Sequence, residues 1–237
     1  MTLGMKPVVA IVPAAGVGKR MLADCPKQYL TINGVTIIEH TVNRLLSHPQ
    51  IAHVVIAISL NDEYFATTSL PNNPDVSTVI GGKERVDSVL AGLQSIASNH
   101  YSWALVHDAA RPCVELDDID KLLHTCFSGE QGGLLAYPVR DTMKRGDNAN
   151  NVVATVEREN LWHALTPQMY PCDALLNAIN YALTNDVAVT DESSAIEAYG
   201  KSSLLIEGSS NNIKITKPDD LALATFILNQ QQERLCE

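Results

Sequence analysis

The chain has 237 residues, with 17 Lys+Arg against 27 Asp+Glu and a formal net charge of -10 at pH 7, a balance that argues against nucleic acid as a partner. At 46% hydrophobic and 19% charged, its composition is globular rather than disordered or collagen-like, and no apolar run approaches the ~18–20 residues of a membrane span. Five scattered cysteines (Cys25, Cys113, Cys126, Cys172, Cys236) without a C-x-x-C pair argue against a disulfide framework or a zinc site and suit a reducing, cytoplasmic setting.

The length suits one domain over 1–237, since α/β chains of ~200–250 residues are often undivided. Short β-rich apolar runs alternate with amphipathic segments, which predicts an α/β fold: a Rossmann-like, mostly parallel sheet with helices on both faces. Val8 to Val12 has no polar alternation and reads as a central strand buried on both sides. A short strand at Tyr29 to Ile32, a turn at Asn33-Gly34 and a helix from the Thr36/Glu39 capping box to about Leu46 follow. Strands are expected at His53–Ser59 and Thr78–Ile80, then a helix whose Val86, Val89, Leu90, Leu93, Ile96 and Ala97 form one apolar stripe. Further strands at Trp103–Val106 and Leu134–Val139 precede a polar, β-branched stretch centred on a Gly/Asp/Asn turn. That stretch, about 139–158, reads as a protruding β-arm, and because an isolated two-stranded ribbon is marginal, a symmetric partner subunit is the expected support. Helices at about Asp173–Leu183 and Ser194–Tyr199, the latter closed by Gly200, are followed by strands at Leu204–Ile206 and Ile213–Ile215. Thr216-Lys-Pro-Asp219 then opens a C-terminal helix.

Pro13-Ala-Ala-Gly-Val-Gly-Lys-Arg20 directly follows the first strand, and its small residues would let backbone amides close on an anion. A tight strand-to-helix turn would need the same glycines. The dinucleotide fingerprint fails at Met21, and the P-loop pattern fails because Arg20 follows Gly18-Lys19. Three cations, Lys19, Arg20 and Lys27, fall within nine residues of an acidic chain, which favours a polyphosphate ligand over a solvated face. No H-x-x-x-H or H-E-x-x-H pair occurs, and His107 reads as a structural strand-end residue.

Taken together, Pro13-Ala-Ala-Gly-x-Gly-x-Arg20-Met, Pro26-Lys-Gln-Tyr29, Gly81-Gly-x-Glu-Arg-x-Asp-Ser88, His107-Asp-Ala-Ala-Arg-Pro112, Asp141-Thr-Met-Lys144, Leu161-Trp-x-x-Leu-Thr-Pro-Gln168, Thr190-Asp-Glu192 and Asn212-Ile-Lys-Ile-Thr216 resemble the 2-C-methyl-D-erythritol 4-phosphate cytidylyltransferase family in order and spacing. The resemblance spans nearly the whole chain and implies the nucleotide-diphospho-sugar transferase type of sheet. It also implies a reaction: the phosphate of methylerythritol phosphate attacks the α-phosphorus of CTP and releases pyrophosphate. Such reactants bring together roughly six negative charges, the monoester supplying about -1.5 to -2, so several cations are needed and a general base is not.

By the same resemblance, Arg20, Lys27, Arg158 and Lys214 are the expected catalytic cations. Ala14, Ala15, Gly16, Gly82, Ser88 and Ala109 would hold the nucleotide, and Asp108, Arg111, Thr142, Thr166 and Thr190 the acceptor. Read from the residues alone, the alternatives are a plain helix-entry turn for Gly81-Gly82, a buried helix cap or a partner for Arg111 at Asp108, and an exposed arm charge at Arg158. Lys83 departs from the acidic residue found beside the second glycine in some relatives. Mg2+ or another divalent cation is implied, carried mainly by the CTP phosphates with no protein ligand assigned. A homodimer through the β-arm is implied, with Thr142 and Arg158 completing the partner's site. The alternatives are a ribitol-5-phosphate cytidylyltransferase, which differs in its acceptor, and a non-catalytic nucleotide-binding protein. The length leaves no room for the cyclase domain fused to some relatives.

Overall fold

The computed structural model describes residues 7–16, 25–96 and 101–234. Its central sheet has seven strands: β1 (Val8–Pro13), β4 (Ile51–Ile58), β5 (Val76–Ile80), β6 (Trp103–Val106), β7 (Gly133–Pro138), β10 (Trp162–Pro171) and β11 (Leu204–Glu207). Their order across the sheet is β11-β7-β10-β6-β1-β4-β5. β10 alone runs antiparallel to its neighbours, pairing with β6 and β7, while the other ladders are parallel. The expected mostly parallel α/β sheet is therefore present, with β1 near its middle.

Alternation along β1 divides the core into two layers, as residues of a strand point to opposite faces. Val8, Ala10 and Val12 pack with Ile38, Val42 and Leu45 of α1 (Ile37–Leu46) and with Ile119, Leu122 and Leu123 of α3 (Leu116–Gly129). Val9 and Ile11 pack on the other face with Val89 and Leu93 of α2 (Arg85–Ser95), Leu175, Ala178 and Ile179 of α4 (Cys172–Thr184), and Ala195 and Ile196 of α5 (Glu192–Ala198). A smaller cluster seats α6 (Pro218–Arg234) through Ala224, Ile227 and Leu228 on Ile32, Ile37, Cys113 and Ile215. Among the described residues no helix is long and apolar enough to cross a membrane.

Local chemistry sets several boundaries as expected. Asn33 and Gly34 both take positive φ, 51° and 81°, and form the turn between β2 (Thr31–Ile32) and β3 (Val35–Thr36). The Thr36 side chain accepts from the Glu39 N–H and the Glu39 carboxylate accepts from the Thr36 N–H, which closes the capping box of α1. Gly200, at φ 76°, terminates α5.

Three expectations are corrected. Tyr29 lies in a 3-10 turn, Lys27–Tyr29, and not in a strand, because the Tyr29 N–H turns back to the Pro26 carbonyl. Ile213–Ile215 is not a strand; the segment is held instead by the Ile215 N–H donating to the Ala110 carbonyl. The Thr216–Asp219 entry to α6 is fastened by a residue beyond it, since one Asp220 oxygen accepts from the Thr216 N–H, the Thr216 hydroxyl and the Lys217 N–H, each at 2.8 Å. Finally, α3 and β10 are present although no element was expected there.

The arm is a separate two-stranded sheet, β8 (Met143–Gly146) with β9 (Val152–Val156). Its turn is fastened by the Asp147 carboxylate, which accepts from the Ala149 and Asn151 N–H groups.

Candidate active site

Open parallel sheets leave a crevice beyond the carboxyl ends of their strands, and in this fold three such ends open on one cavity of about 370 Å³. Ala14–Gly16 leave β1, Gly82–Glu84 connect β5 to α2, whose Arg85 and Ser88 also face the cavity, and Asp108–Ala110 leave β6. Lys27 and Gln28 form part of the wall, and Lys214 and Thr216 reach it from the far end of the chain.

The loop after β1 is shaped from both sides. The buried Gln28 side chain donates to the Ala14 carbonyl at 2.6 Å and to the Gly16 carbonyl at 3.2 Å. Those carbonyls are thereby turned away from any ligand that the loop's N–H groups would meet. At Gly81 a Cβ would lie 2.6 Å from both Ala15 Cβ and Ser88 Oγ, so the close seating of the α2 entry on this loop requires glycine. At Gly82 it would strike Asp87 Cβ at 2.2 Å. Asp87 caps α2 by accepting from the Glu84 N–H at 2.9 Å, and Ser88 Oγ accepts from the Gly82 N–H at 3.3 Å.

Lys27 and Lys214 come from opposite ends of the sequence and meet at this wall. The Lys27 ammonium donates to the Ile215 carbonyl at 2.7 Å. The Ile215 side chain is buried under α6, so the docking of that helix delivers Lys214 to the cavity. Among the described residues, the wall carries the cations Lys27, Lys83, Arg85 and Lys214 against Glu84 and Asp108. This local positive excess in a chain of net charge -10 suits a polyanion.

Asp108 gathers the cations. Its Oδ1 accepts from Arg85 Nε at 3.0 Å, and its Oδ2 lies 2.9 Å from Lys214 Nζ and 3.4 Å from Arg111 Nε. Burial opposes its charge, but attraction from Arg85, Lys214 and Arg111 outweighs that opposition and holds the carboxyl well below the usual carboxylate range. Arg85 also forks onto the buried Glu192 at 2.6 and 3.1 Å. Behind these groups, burial drives the His107 imidazole down to about 4.

Of the residues singled out from the sequence, Ala14, Ala15, Gly16, Lys27, Gly82, Ser88, Asp108, Ala109 and Lys214 line the one cavity. Arg111 and Thr166 stand behind its wall. Arg111 donates to the Asn212 carbonyl at 2.7 Å, and Thr166 Oγ1 accepts from the Asp108 N–H at 3.1 Å. Thr142 and Arg158 are exposed at the base of the arm, where the Arg158 guanidinium donates to the Arg140 carbonyl. Thr190 is exposed just before α5. Arg20 lies outside the described residues, as does Lys19.

Arg85, Lys83 and Gln28 are wall residues to which the sequence assigned no role. Arg85 stands within the Gly81–Ser88 motif, so its signal was present; its partner Glu192 is 107 residues away. Lys83, the departure from the family pattern, is exposed and lines the cavity with its neighbours.

Among the described residues no group of three or more His, Cys, Asp or Glu side chains could hold a metal. Asp108 is committed to cations, so among the described residues the wall supplies no protein cage for Mg2+. The four described cysteines are unpaired, and burial pushes the Cys113 and Cys126 thiols up to about 12, far from nucleophilic thiolates.

Comparison with known proteins agrees with this geometry. The family described as 2-C-methyl-D-erythritol 4-phosphate cytidylyltransferase matches residues 8–230. A protein of that description from Colwellia psychrerythraea is 58% identical over 231 residues, covering 94% of this chain and 95% of its own. One from Vibrio parahaemolyticus is 56% identical over 225 residues, covering 94% and 96%. The crystal structure of the Francisella tularensis protein of the same description superposes with a TM-score of 0.81 at 36% identity, over 93% of this chain and 99% of that one.

Proposed function

Because this chain belongs to the 2-C-methyl-D-erythritol 4-phosphate cytidylyltransferase family, we propose that it joins CTP to 2-C-methyl-D-erythritol 4-phosphate, giving 4-(cytidine 5'-diphospho)-2-C-methyl-D-erythritol and pyrophosphate for isoprenoid precursor synthesis. The observation that carries this reading is the meeting of Lys27 and Lys214 at one glycine-lined cavity, where Lys27 donates to the carbonyl of Ile215, the residue after Lys214 and 188 positions away in sequence.

An oxygen of the acceptor phosphate attacks the α-phosphorus in line, a new P–O bond forms, and the bond to the β-phosphate bridge breaks with pyrophosphate leaving. The nucleophile is already ionised, so no base takes a proton from it. Backbone N–H groups of Ala15 and Gly16 approach the triphosphate beside Ala14, whose own N–H is held by the Ala57 carbonyl; Gly82, Ser88 and Ala109 hold the cytidine, and Lys27 with Arg20 neutralises charge that grows on the α-phosphoryl oxygens. Lys214, anchored on Asp108, receives the acceptor phosphate. Arg111 and Thr166 shape the acceptor side from behind Asp108, and Thr190 is assigned to the acceptor with them by the family pattern. A divalent cation such as Mg2+ would be held mainly by the CTP phosphates, with no protein ligand assigned, and would screen their charge. Thr142 and Arg158 on the arm complete the site of a second copy, which makes the working unit a dimer.

The test is pyrophosphate release with CTP against the other nucleoside triphosphates, crossed with methylerythritol phosphate and ribitol phosphate. Turnover is expected with CTP and methylerythritol phosphate, and chelation of divalent ions abolishes it. Lys27→Ala and Lys214→Ala each lower the rate on the order of 10²–10³, as loss of one transition-state donor does. Turnover of both variants within a few-fold of wild type overturns the catalytic roles of the two lysines.

A further inference from the structure

Four charged groups run in series from beneath the cavity to its wall. Glu192, 2% exposed, is the first residue of α5, and Gln168 of β10 bolts that helix in place: it donates to the Asp191 carboxylate at 2.9 Å and accepts from the Ser193 N–H at 2.8 Å. Glu192 takes both terminal nitrogens of Arg85, the first residue of α2. Arg85 is left with Nε alone for Asp108, which it holds by Oδ1. Oδ2 thereby remains clear of Arg85, and Lys214 takes it at 2.9 Å beside the longer approach of Arg111 Nε at 3.4 Å.

A guanidinium is a planar fork that grips a carboxylate by two parallel bonds, whereas an ammonium on a four-carbon stem is a mobile point charge. Released from Glu192, the fork of Arg85 would close on both oxygens of Asp108 and displace Lys214, whose side chain is 38% exposed and free to swing. We propose that Glu192 is a positioning residue: by occupying the fork of Arg85 it keeps Arg85 off the Asp108 oxygen that Lys214 shares with Arg111, and so sets the place of the ammonium that receives the acceptor phosphate. This inference rests on the reaction proposed above. It also links the two substrates' walls, because α2 begins at the nucleotide loop and α5 follows Thr190.

The charge of Glu192, not its volume, is what the inference needs, and two variants separate them. Glu192→Gln keeps the size and loses the charge; Glu192→Asp keeps the charge and shortens the reach. Losing a charge-assisted grip corresponds to about a tenfold or greater change, so Glu192→Gln raises KM for methylerythritol phosphate about tenfold, while the Kd for CTP, read by calorimetry, stays within about twofold. Glu192→Asp raises the acceptor KM by only about threefold, again without moving CTP binding. A role in packing alone ranks the two variants in reverse, or lowers kcat with the folded fraction and leaves both substrate constants in place; either result overturns the inference. Should Glu192→Gln fail to fold, Glu192→Asp decides alone: an unchanged acceptor KM, or CTP affinity falling in step with it, overturns the proposal. A wild-type enzyme that releases no pyrophosphate strikes the underlying reaction instead, whereas normal wild-type turnover with unmoved variants strikes only Glu192.

Discussion

The protonation of His107 is set by its neighbours. Its Nε2 lies 3.0 Å from the Arg111 carbonyl, which can only accept, so Nε2 carries the proton. Nδ1 is then the acceptor for the Thr166 hydroxyl at 3.0 Å, and the Thr166 oxygen in turn accepts from the Asp108 N–H. This neutral imidazole holds the backbone of Asp108 in register with β10. The unfolded chain takes up a proton on the imidazole near 6.5, while in the fold, burial delays uptake to about 4. Between those values the unfolded state binds more protons, so stability falls as pH falls, by up to about 1.4 kcal/mol per pH unit for this one group. Urea denaturation in steps from about pH 7 to pH 4.5 reads that slope, and His107→Gln removes its share of it. An unchanged slope in the variant refutes the buried neutral assignment. As a strand-end structural residue His107 was legible from its sequence neighbours; its bond to Thr166, 59 residues away, was not.

Helices and strands place these groups by their ends. The β5–α2 junction works because Gly81 allows a side of α2 to sit against Ala15 with no Cβ between them. Gly81→Ala must shift a helix entry or the loop after β1, neither of which is the far end of a flexible side chain, so overpacking of about 1–3 kcal/mol is expected. CTP affinity should fall by roughly tenfold or more in consequence, measured by titration on folded protein. Tight CTP binding by this variant would show that the loop is not gripped there. The helices and strands themselves were mostly legible because their signals are short-range: the Thr36/Glu39 box, the Asn33-Gly34 turn and the apolar stripe of α2 each need only a few residues. Ile119, Leu122, Leu123 and Cys126 of α3 carry the same helical spacing and were available to be read. β10 was not so available. Its Pro167 and Pro171 and its polar Thr166 and Gln168 contradict a central strand, and its ladder with β7 is interrupted between Ala164 and Gln168. It holds its place by pairing with β6 and β7, which lie distant in sequence.

The complete molecule raises the question of what supports the arm. Val152 and Val153 are 66% and 62% exposed on a ribbon apart from the main sheet, and Thr142 and Arg158 at its base do not line the chain's own cavity. In a dimer with shared sites, Arg158→Ala and Lys214→Ala each inactivate, yet mixed after subunit exchange they regain about a quarter of wild-type activity, since half the dimers are hybrids and each hybrid holds one intact site. No recovery on mixing would place Arg158 in its own chain's site or in none. The Val152→Asp/Val153→Asp double variant should sediment as a monomer and lose turnover with it.

Composition, strand and helix periods, turn chemistry and the ordered motifs needed only the primary chain, because each is a relation among residues within a few positions of one another. The chain also announced its cations, as charge crowded beside glycines. Which cations share a cavity depended on strand order and on the seating of α6, since only folding brings Lys27 to Ile215 and Asp108 to Lys214. The same holds for Arg85: nothing near it in sequence hints at Glu192, and the two meet because α2 and α5 pack on the same face of the sheet. Long-range electrostatic partnerships follow from topology, and topology is a property of the packed layers rather than of any local stretch.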